Sequence, residues 1–305
     1  MTKVFIDGSA GTTGLRIYER LSSRKDLELL ILPDALRKDT DARRQMLALA
    51  DIAFLCLPDK AAMEAVSLIE NDHVAVIDTS TAHRTNDDWA YGFAELSPAH
   101  REAIRNSKRI ANPGCHASGF IAGCYPLTAH GVVPADFPFT AYSLTGYSGG
   151  GKALIAEYEA DDRDVRHESH RIYGTTLQHK HLPEMQKLCG LTKAPVFSPI
   201  LGDFYAGMAT SILLPGFDAK TVWECIADHY AGQKIVTVAP FGGDESLVYA
   251  STYAGKDTMR IQVSGHSEQA MVTTMFDNLG KGASGAAVQN MNIMLGFEAT
   301  EGLNV

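Results

Sequence analysis

Through the first third of the chain, short apolar blocks alternate with segments whose apolar residues recur three or four positions apart. Residues 3–7 form the first block and predict a strand, followed by a helix with Leu15, Ile17, Tyr18 and Leu21 on one face. A second strand is expected at 27–32, then a helix carrying Arg43, Arg44, Met46 and Leu47. Residues 52–57 and 74–78 read as two more strands. Strands alternating with helices predict an α/β fold with a doubly wound parallel sheet. From about residue 118 the pattern changes. Strand candidates at 139–144, 208–214, 235–240 and 259–263 are longer and alternate more strictly, which suits a mainly antiparallel sheet in an α+β second domain. Residues 282–297, rich in Ala, Gln, Asn and Met, read as a long closing helix.

The 305 residues are enough for two domains, and no repeat or low-complexity tract interrupts them. A formal net charge of −9 argues against nucleic acid or an anionic membrane as the main partner. An anionic substrate would therefore need a local basic cluster. The first residues lack a charged segment leading into an apolar one, and no apolar run approaches membrane-spanning length. Five cysteines are scattered without a C-x-x-C pair, the usage of a cytoplasmic protein with reduced thiols.

Three constellations carry chemistry. The first is Gly8-x-x-Gly11-x-x-Gly14, after the first strand and opening a helix. Glycines there let the backbone approach a pyrophosphate, and the helix N-terminus faces its charge. The same spacing serves as a plain strand-to-helix turn, but the position favours a nucleotide. Asp34, 20 residues past Gly14, would take a ribose 2′-hydroxyl and favour NAD, whereas Arg37 and Lys38 would hold a 2′-phosphate. The expectation is NADP(H).

The second constellation is Cys115, which follows Asn112-Pro113-Gly114 and precedes a helical apolar run. On composition alone each cysteine is a small buried hydrophobe. At a helix start, however, unpaired backbone N–H groups lower a thiol's pKa and can hold an oxyanion. A thiolate there can attack an acyl phosphate, expel phosphate and leave a thioester that a hydride reduces to an aldehyde.

The third is Gln178-His179-Lys180-His181-Leu182-Pro183-Glu184. Pro183 suits the first turn of a helix, placing His179 and His181 on an entry strand or cap; if extended, they point the same way. Either histidine could exchange protons with Cys115 and the aldehyde oxygen, and Lys180 could attract phosphate. A two-histidine metal site lacks an evident third ligand, so no metal is expected. Arg84, beyond the strand at 74–78, is a candidate for an anionic substrate, while Arg101, Arg105 and Arg109 read as a solvated helix face. The charged run 161–170 reads as surface.

These motifs resemble, in order, those of the N-acetyl-γ-glutamyl-phosphate reductases of arginine biosynthesis, in their shorter class. The resemblance rests on Gly8 to Gly14, on 111–115, on 179–184 and above all on Asp277-Asn278-Leu279-Gly280-Lys281-Gly282-Ala283-Ser284-Gly285-Ala286-Ala287-Val288-Gln289-Asn290. Residues 76–84 and 91–96 are similar too, so it spans nearly the whole chain. It implies the fold of aspartate-semialdehyde dehydrogenase: a discontinuous Rossmann domain, 1–117 with 282–305, and a catalytic and oligomerisation domain, 118–281. It implies Cys115 as nucleophile, one of His179 and His181 as acid/base, and Glu184 in the catalytic set. Ser9, Thr12 and Thr13 in the first loop, Ser148, Gly149 and Gly150 in a second, and Asn278 and Gly282 would touch the cofactor. Asn112 joins Arg84 and Lys180 at a small acyl-phosphate substrate, in a homodimer or homotetramer. The chain departs from the family at Ala10, where Ser or Thr is usual, and at His116, where an aromatic often follows the cysteine. Lys152 stands where the longer class has Arg. Alternatives are a reductase for aspartyl or carrier-bound aminoadipyl phosphate, a non-catalytic NADP(H)-binding protein, and a thiol hydrolase, which the Gly8 loop disfavours.

Overall fold

A computed structural model describes residues 1–243 and 247–305. The chain divides into two units, Met1–Gly114 with Ala283–Leu303, and Cys115–Gly282 with Asn304–Val305.

In the first unit, β1 (Thr2–Asp7), β2 (Leu27–Leu30), β3 (Ile52–Leu55), β4 (Ala75–Asp78), β5 (Ala90–Tyr91) and β6 (Arg109–Ala111) form a wholly parallel sheet in the order β2-β1-β3-β4-β6-β5. Helices α1 (Thr12–Leu21), α2 (Thr40–Leu49), α3 (Asp59–Ser67) and α4 (Pro98–Asn106) connect the strands. Successive strand residues feed opposite cores, as the pleat requires. Val4, Ile6, Ile52, Phe54 and Ile77 pack with α1, α4 and the C-terminal helix Gly285–Leu295, whereas Phe5, Ala53 and Val74 pack with α2. Leu55 and Val76 meet Ala62 and Ala65 of α3. Helices thus cover both faces, which accounts for the continuously apolar strands.

The structure corrects two sequence readings here. The buried face of α1 is Gly14, Ile17 and Leu21, while Leu15 and Tyr18 face solvent. Glycine allows α1 to lie close to the loop, so the packing stripe starts one residue earlier than the apolar pattern suggested. Arg109 lies on β6 rather than with Arg101 and Arg105 on α4, and its guanidinium donates to the carbonyl of Val74 at 2.9 Å.

In the second unit, α5 (Cys115–Ala129) precedes β7 (Thr140–Gly146), α6 (Gly151–Glu159), β8 (Arg171–Ile172), α7 (Leu182–Leu188), β9 (Val196–Gly202) and β10 (Met208–Pro215). Then come α8 (Ala219–His229), β11 (Val236–Val238), β12 (Met259–His266) and β13 (Gln269–Phe276). The strands form a mixed sheet in the order β11-β12-β13-β10-β7-β9-β8. Four of its pairings are antiparallel; β11–β12 and β7–β9 are parallel. Residues 161–170 lie at the surface, as their charge predicts.

Helix α5 lies on β10 and β13. Gly119 makes that approach possible: a Cβ there would fall 2.4 Å from Thr210 Oγ1 and 2.8 Å from Thr274 Oγ1. Pro126 sits inside the same helix and has no N–H for the carbonyl of Ala122. The buried Tyr230 hydroxyl donates to that carbonyl instead, at 2.9 Å.

Candidate active site

The expected nucleotide loop lies at the carboxyl ends of β1 and β3. The chain runs to β2 on one side of β1 and to β3 on the other, so this is the sheet's switch point, where α/β folds bind ligands. Gly8 has φ +86°, and a Cβ there would meet the Cys56 carbonyl oxygen at 2.3 Å. A Cβ on Gly14 would lie 2.4 Å from the Gly8 oxygen. These two glycines keep the turn tight enough to set the start of α1 directly over it. Gly11 is the N-cap of α1 and supplies no side-chain cap, and the Thr12 hydroxyl is buried without a hydrogen-bond partner. A helix N-terminus of this kind, with an orphaned hydroxyl in its first turn, fits a phosphate. Thr13 follows on the same turn. A cavity of about 240 Å³ opens beside the loop, lined by Gly8, Ser9, Gly11, Asp34, Arg37 and Lys38 among others. The residues present therefore fit a dinucleotide. The acidic Asp34 and the basic pair line the same cavity, so the two readings of cofactor choice meet there.

Below the loop, buried Asp7 pairs with Arg43 at 2.9 Å. Burial raises the Asp7 carboxyl above its ordinary range, although the guanidinium works in the opposite direction.

Arg84 and Asn112, expected at the substrate, both have hydrogen-bond partners within the protein. Arg84 is buried, and its guanidinium donates to the carbonyls of Asn112 and Thr79, each at 2.9 Å. Asn112 donates its side-chain amide to the Ala283 carbonyl at 3.0 Å and accepts from Asn290 at 3.1 Å. Its backbone N–H reaches the Asp78 carbonyl at 2.8 Å. Asp78 in turn accepts from Ser80 and from His83 Nδ1, the latter at 2.6 Å. Both residues are thus held inside a buried network that fixes the segment leading into Cys115.

Cys115 is the first residue of α5 and is half-buried. Gly282 packs against it, since a Cβ at that position would lie 3.0 Å from the Cys115 Cβ. Gly282 belongs to a π-helical turn, Gly280–Ser284, a rare geometry that recurs at functional sites. Just before that turn, Asn278 accepts from the Gly207 N–H at 2.8 Å and donates to Ser148 Oγ at 2.9 Å. Gly149 lies against the same amide, with Gly150 next to it opening α6. Ser148, Gly149 and Asn278 therefore form one cluster.

His181 is the N-cap of α7 and Pro183 occupies its first turn. The pair is not extended: His181 has φ −89° and ψ −7°, and Leu177 turns the chain with φ +56°. The two rings meet edge to face, with centroids 4.7 Å apart, and the His181 N–H donates to His179 Nδ1 at 3.2 Å. His181 and Glu184 are buried, whereas Lys180 is exposed on the turn between the histidines.

Sequence reasoning passed over two residues at this centre. His116 appeared only as a departure from a family pattern, and Tyr173 not at all. The His116 ring lies 5.3 Å from that of His179 and 5.9 Å from that of His181. Its Nε2 is 2.6 Å from the Tyr173 hydroxyl and its Nδ1 is 2.8 Å from Ser143 Oγ. Burial pushes the His116 imidazole down to about 3, helped by His179 and Lys180. Burial likewise raises the Tyr173 phenol, with a further push from Cys115. Among the described residues, no three His, Cys, Asp or Glu side chains are grouped to hold a metal ion. No described helix is long and apolar enough to cross a membrane.

Family models match along most of the chain: semialdehyde dehydrogenase, NAD binding domain, at residues 3–106, and semialdehyde dehydrogenase, dimerisation domain, at 115–278. The chain is 48% identical to an N-acetyl-gamma-glutamyl-phosphate reductase of Sinorhizobium medicae (strain WSM419), over 96% of this chain and 98% of that one. It is 44% identical to N-acetyl-gamma-glutamyl-phosphate reductase 2 of Nostoc sp. (strain PCC 7120 / SAG 25.82 / UTEX 2576), over 99% of both. Among solved structures, aspartate semialdehyde dehydrogenase II of Vibrio cholerae, complexed with ASA, superimposes with a TM-score of 0.72 at 16% identity, over 97% of this chain and 98% of that one. The enzyme of Candida albicans with NADP gives 0.67 at 16% identity, over 97% and 98%. The last two similarities establish the fold, and with the curated relatives they show that this chain belongs to the N-acetyl-gamma-glutamyl-phosphate reductase family on a semialdehyde dehydrogenase fold.

Proposed function

We propose that the chain reduces N-acetyl-γ-glutamyl phosphate to N-acetylglutamate semialdehyde, releasing phosphate, with NADPH as reductant, in arginine biosynthesis. The observation that carries this reading is Cys115 at the start of α5, next to His116, whose ring meets those of His179 and His181, in a chain 48% identical to a named reductase. Cys115 Sγ, as thiolate, attacks the acyl carbon. The carbon–oxygen bond to phosphate breaks, phosphate leaves with the electron pair, and a thioester remains on Cys115. The first backbone N–H groups of α5 stabilise the oxyanion of each tetrahedral intermediate. When bound, the reduced nicotinamide supplies the hydride. Cys115 then leaves as thiolate and the aldehyde is released.

The hydrogen bond from the His181 N–H to His179 Nδ1 supports a division of labour. A ring that accepts at Nδ1 carries its proton on Nε2, so His179 acts as a hydrogen-bond donor toward substrate oxygen. His181 is left to take and return the thiol proton, and Glu184, one turn along α7, supports it. Lys180 attracts the phosphate, and Arg84 and Asn112 hold the cysteine's approach rather than touch substrate. Ser9, Thr12, Thr13 and the three loop glycines bind the cofactor pyrophosphate. Arg37 and Lys38 favour the 2′-phosphate of NADP(H). Ser148, Gly149, Gly150, Asn278 and Gly282 shape the nicotinamide end.

The chain works as a homodimer or homotetramer through the sheet face that helices do not cover. Tyr142, Leu144, Ile200 and Met271 are half-buried there, beside exposed Val196 and Leu213. An apolar stripe of this kind marks an interface. The five cysteines are thiols, in keeping with the cytoplasm.

The test is phosphate-dependent reduction of NADP⁺ by N-acetylglutamate semialdehyde, with aspartate semialdehyde and NAD⁺ in parallel. Turnover of the acetylated aldehyde with NADP⁺ supports the reading. Turnover of aspartate semialdehyde alone refutes the substrate, and an equal rate with NAD⁺ refutes the cofactor preference.

A further inference from the structure

His116 is a residue that the reaction above leaves without a part. It is 2% exposed, and a phenyl group would fill the same space without a polar atom to satisfy. Both ring nitrogens nevertheless have partners, and the partners lie on opposite sides. Ser143 Oγ, at Nδ1, is itself 2.7 Å from Thr210 Oγ1 on the neighbouring strand. Ser143 and Thr210 face each other across the β7–β10 ladder, so this end of the chain of hydrogen bonds is anchored to the sheet. At Nε2 the partner is the Tyr173 hydroxyl, and Cys115 is the residue next to His116 in the chain. The edge-to-face contact with His179, 5.3 Å and 89°, comes from the same ring.

We propose that His116 is a positioning residue for this reaction: it ties the Tyr173 hydroxyl to the sheet and braces the ring of His179. The proposal rests on the thioester chemistry above. Because burial keeps the imidazole neutral, one nitrogen donates and the other accepts, so the Ser143–His116–Tyr173 line has a single direction at a time. In one direction Tyr173 donates to His116. In the other, His116 donates to Tyr173, and the phenolic proton is turned away from the imidazole. A Phe at 116 would keep the shape and lose this control.

The experiment compares His116→Phe, Tyr173→Phe and the double variant. For each, kcat, KM for both substrates, and the rate of Cys115 alkylation by iodoacetamide are measured. Each single substitution is expected to lower kcat about five- to tenfold, the effect of one neutral hydrogen bond. KM for NADP⁺ should stay within about twofold, and the alkylation rate should change. The double variant should lose no more than the worse single one, because both remove the same bond. Losses that multiply, or unchanged kcat in Tyr173→Phe, overturn the proposal. Should the buried substitution fail to fold, Tyr173→Phe alone decides, since it only removes an oxygen. A failure of the functional reading is distinguishable, because it shows as no turnover by the unmodified enzyme while the alkylation rates still report on the His116–Tyr173 bond.

Discussion

Replacing Tyr230 with Phe tests how α5 survives its internal proline. The hydroxyl donates at 2.9 Å to the Ala122 carbonyl, whose helical partner would be the N–H that Pro126 lacks. Tyr230 is 3% exposed and Ala122 fully buried, so water cannot replace the bond. An orphaned buried carbonyl costs about 1–3 kcal/mol. At roughly 2–4 °C per kcal/mol for a domain of about 170 residues, the melting midpoint should fall by about 2–12 °C. Calorimetry at pH 7 measures this, and kcat should stay within about twofold because Ala122 lies two turns from Cys115. A second background sharpens the test. Pro126→Ala restores the N–H, so Tyr230→Phe should then cost much less, a coupling that a double-mutant cycle reads directly. Equal costs in the two backgrounds would refute the assignment, because the hydroxyl would then be stabilising something other than the helix defect.

Further expectations concern the cofactor cradle and the buried charges. Gly14→Ala forces a methyl to 2.4 Å from the Gly8 oxygen, a backbone atom that cannot swing aside. NADPH binding followed by fluorescence should weaken at least about tenfold, with Cys115 alkylation retained, and an unaltered affinity would mean the cofactor does not use this loop. Arg43→Leu leaves Asp7 buried beside an apolar group and should destabilise the fold by about 3–5 kcal/mol at pH 7. The loss should shrink in acid, where the raised Asp7 carboxyl takes a proton, and a pH-independent loss in urea titrations would contradict this. His116 is held neutral down to about 3 while an unfolded histidine titrates near 6.5. The unfolded chain therefore binds an extra proton between those values, and stability should fall with pH there by up to roughly 1.4 kcal/mol per unit. His116→Phe should flatten that slope, and urea midpoints between pH 7 and 4 would reveal an unchanged slope if the reasoning is wrong.

What was legible in the sequence followed the periodicity. Strands β1 to β4 stood out as apolar blocks, whereas β5, of two residues, and β6, which opens on Arg109, offered no such block. In the second sheet, β8, β9 and β13 did not stand out. In β9, Pro199 breaks the usual strand composition, since it has no N–H for a ladder. The proline is tolerated because one neighbour, β8, is only two residues long. In β13, Thr273 and Thr274 are buried polar residues. Their hydroxyls find partners in Ser211 and in the Gly119 carbonyl, contacts that become visible only once the sheet and α5 are in place. The π-helical turn before the C-terminal helix had no signal either, because Gly280, Gly282 and Ser284 are equally compatible with a plain loop.

The candidate site divides along the same line. A motif states which chemical groups are present, whereas function depends on which of their atoms already have partners. Arg84 and Asn112 have the chemistry of an anion site, yet both are drawn into holding the approach to Cys115, with Asn290 of the C-terminal helix completing the network. That helix lies nearly 180 residues away in sequence, beyond any local pattern. Conversely, His116 stands in the sequence only as a departure from the family pattern beside Cys115. Its bonds to Ser143 and Tyr173, 27 and 57 residues along, lie beyond any local pattern. Sequence spacing therefore singled out Cys115 and the histidine pair, while the bonds made by Arg84, Asn112 and His116 were set by long-range packing. It is those residues, Arg84, Asn112 and His116, whose substitution should leave the motifs intact and still impair the reaction.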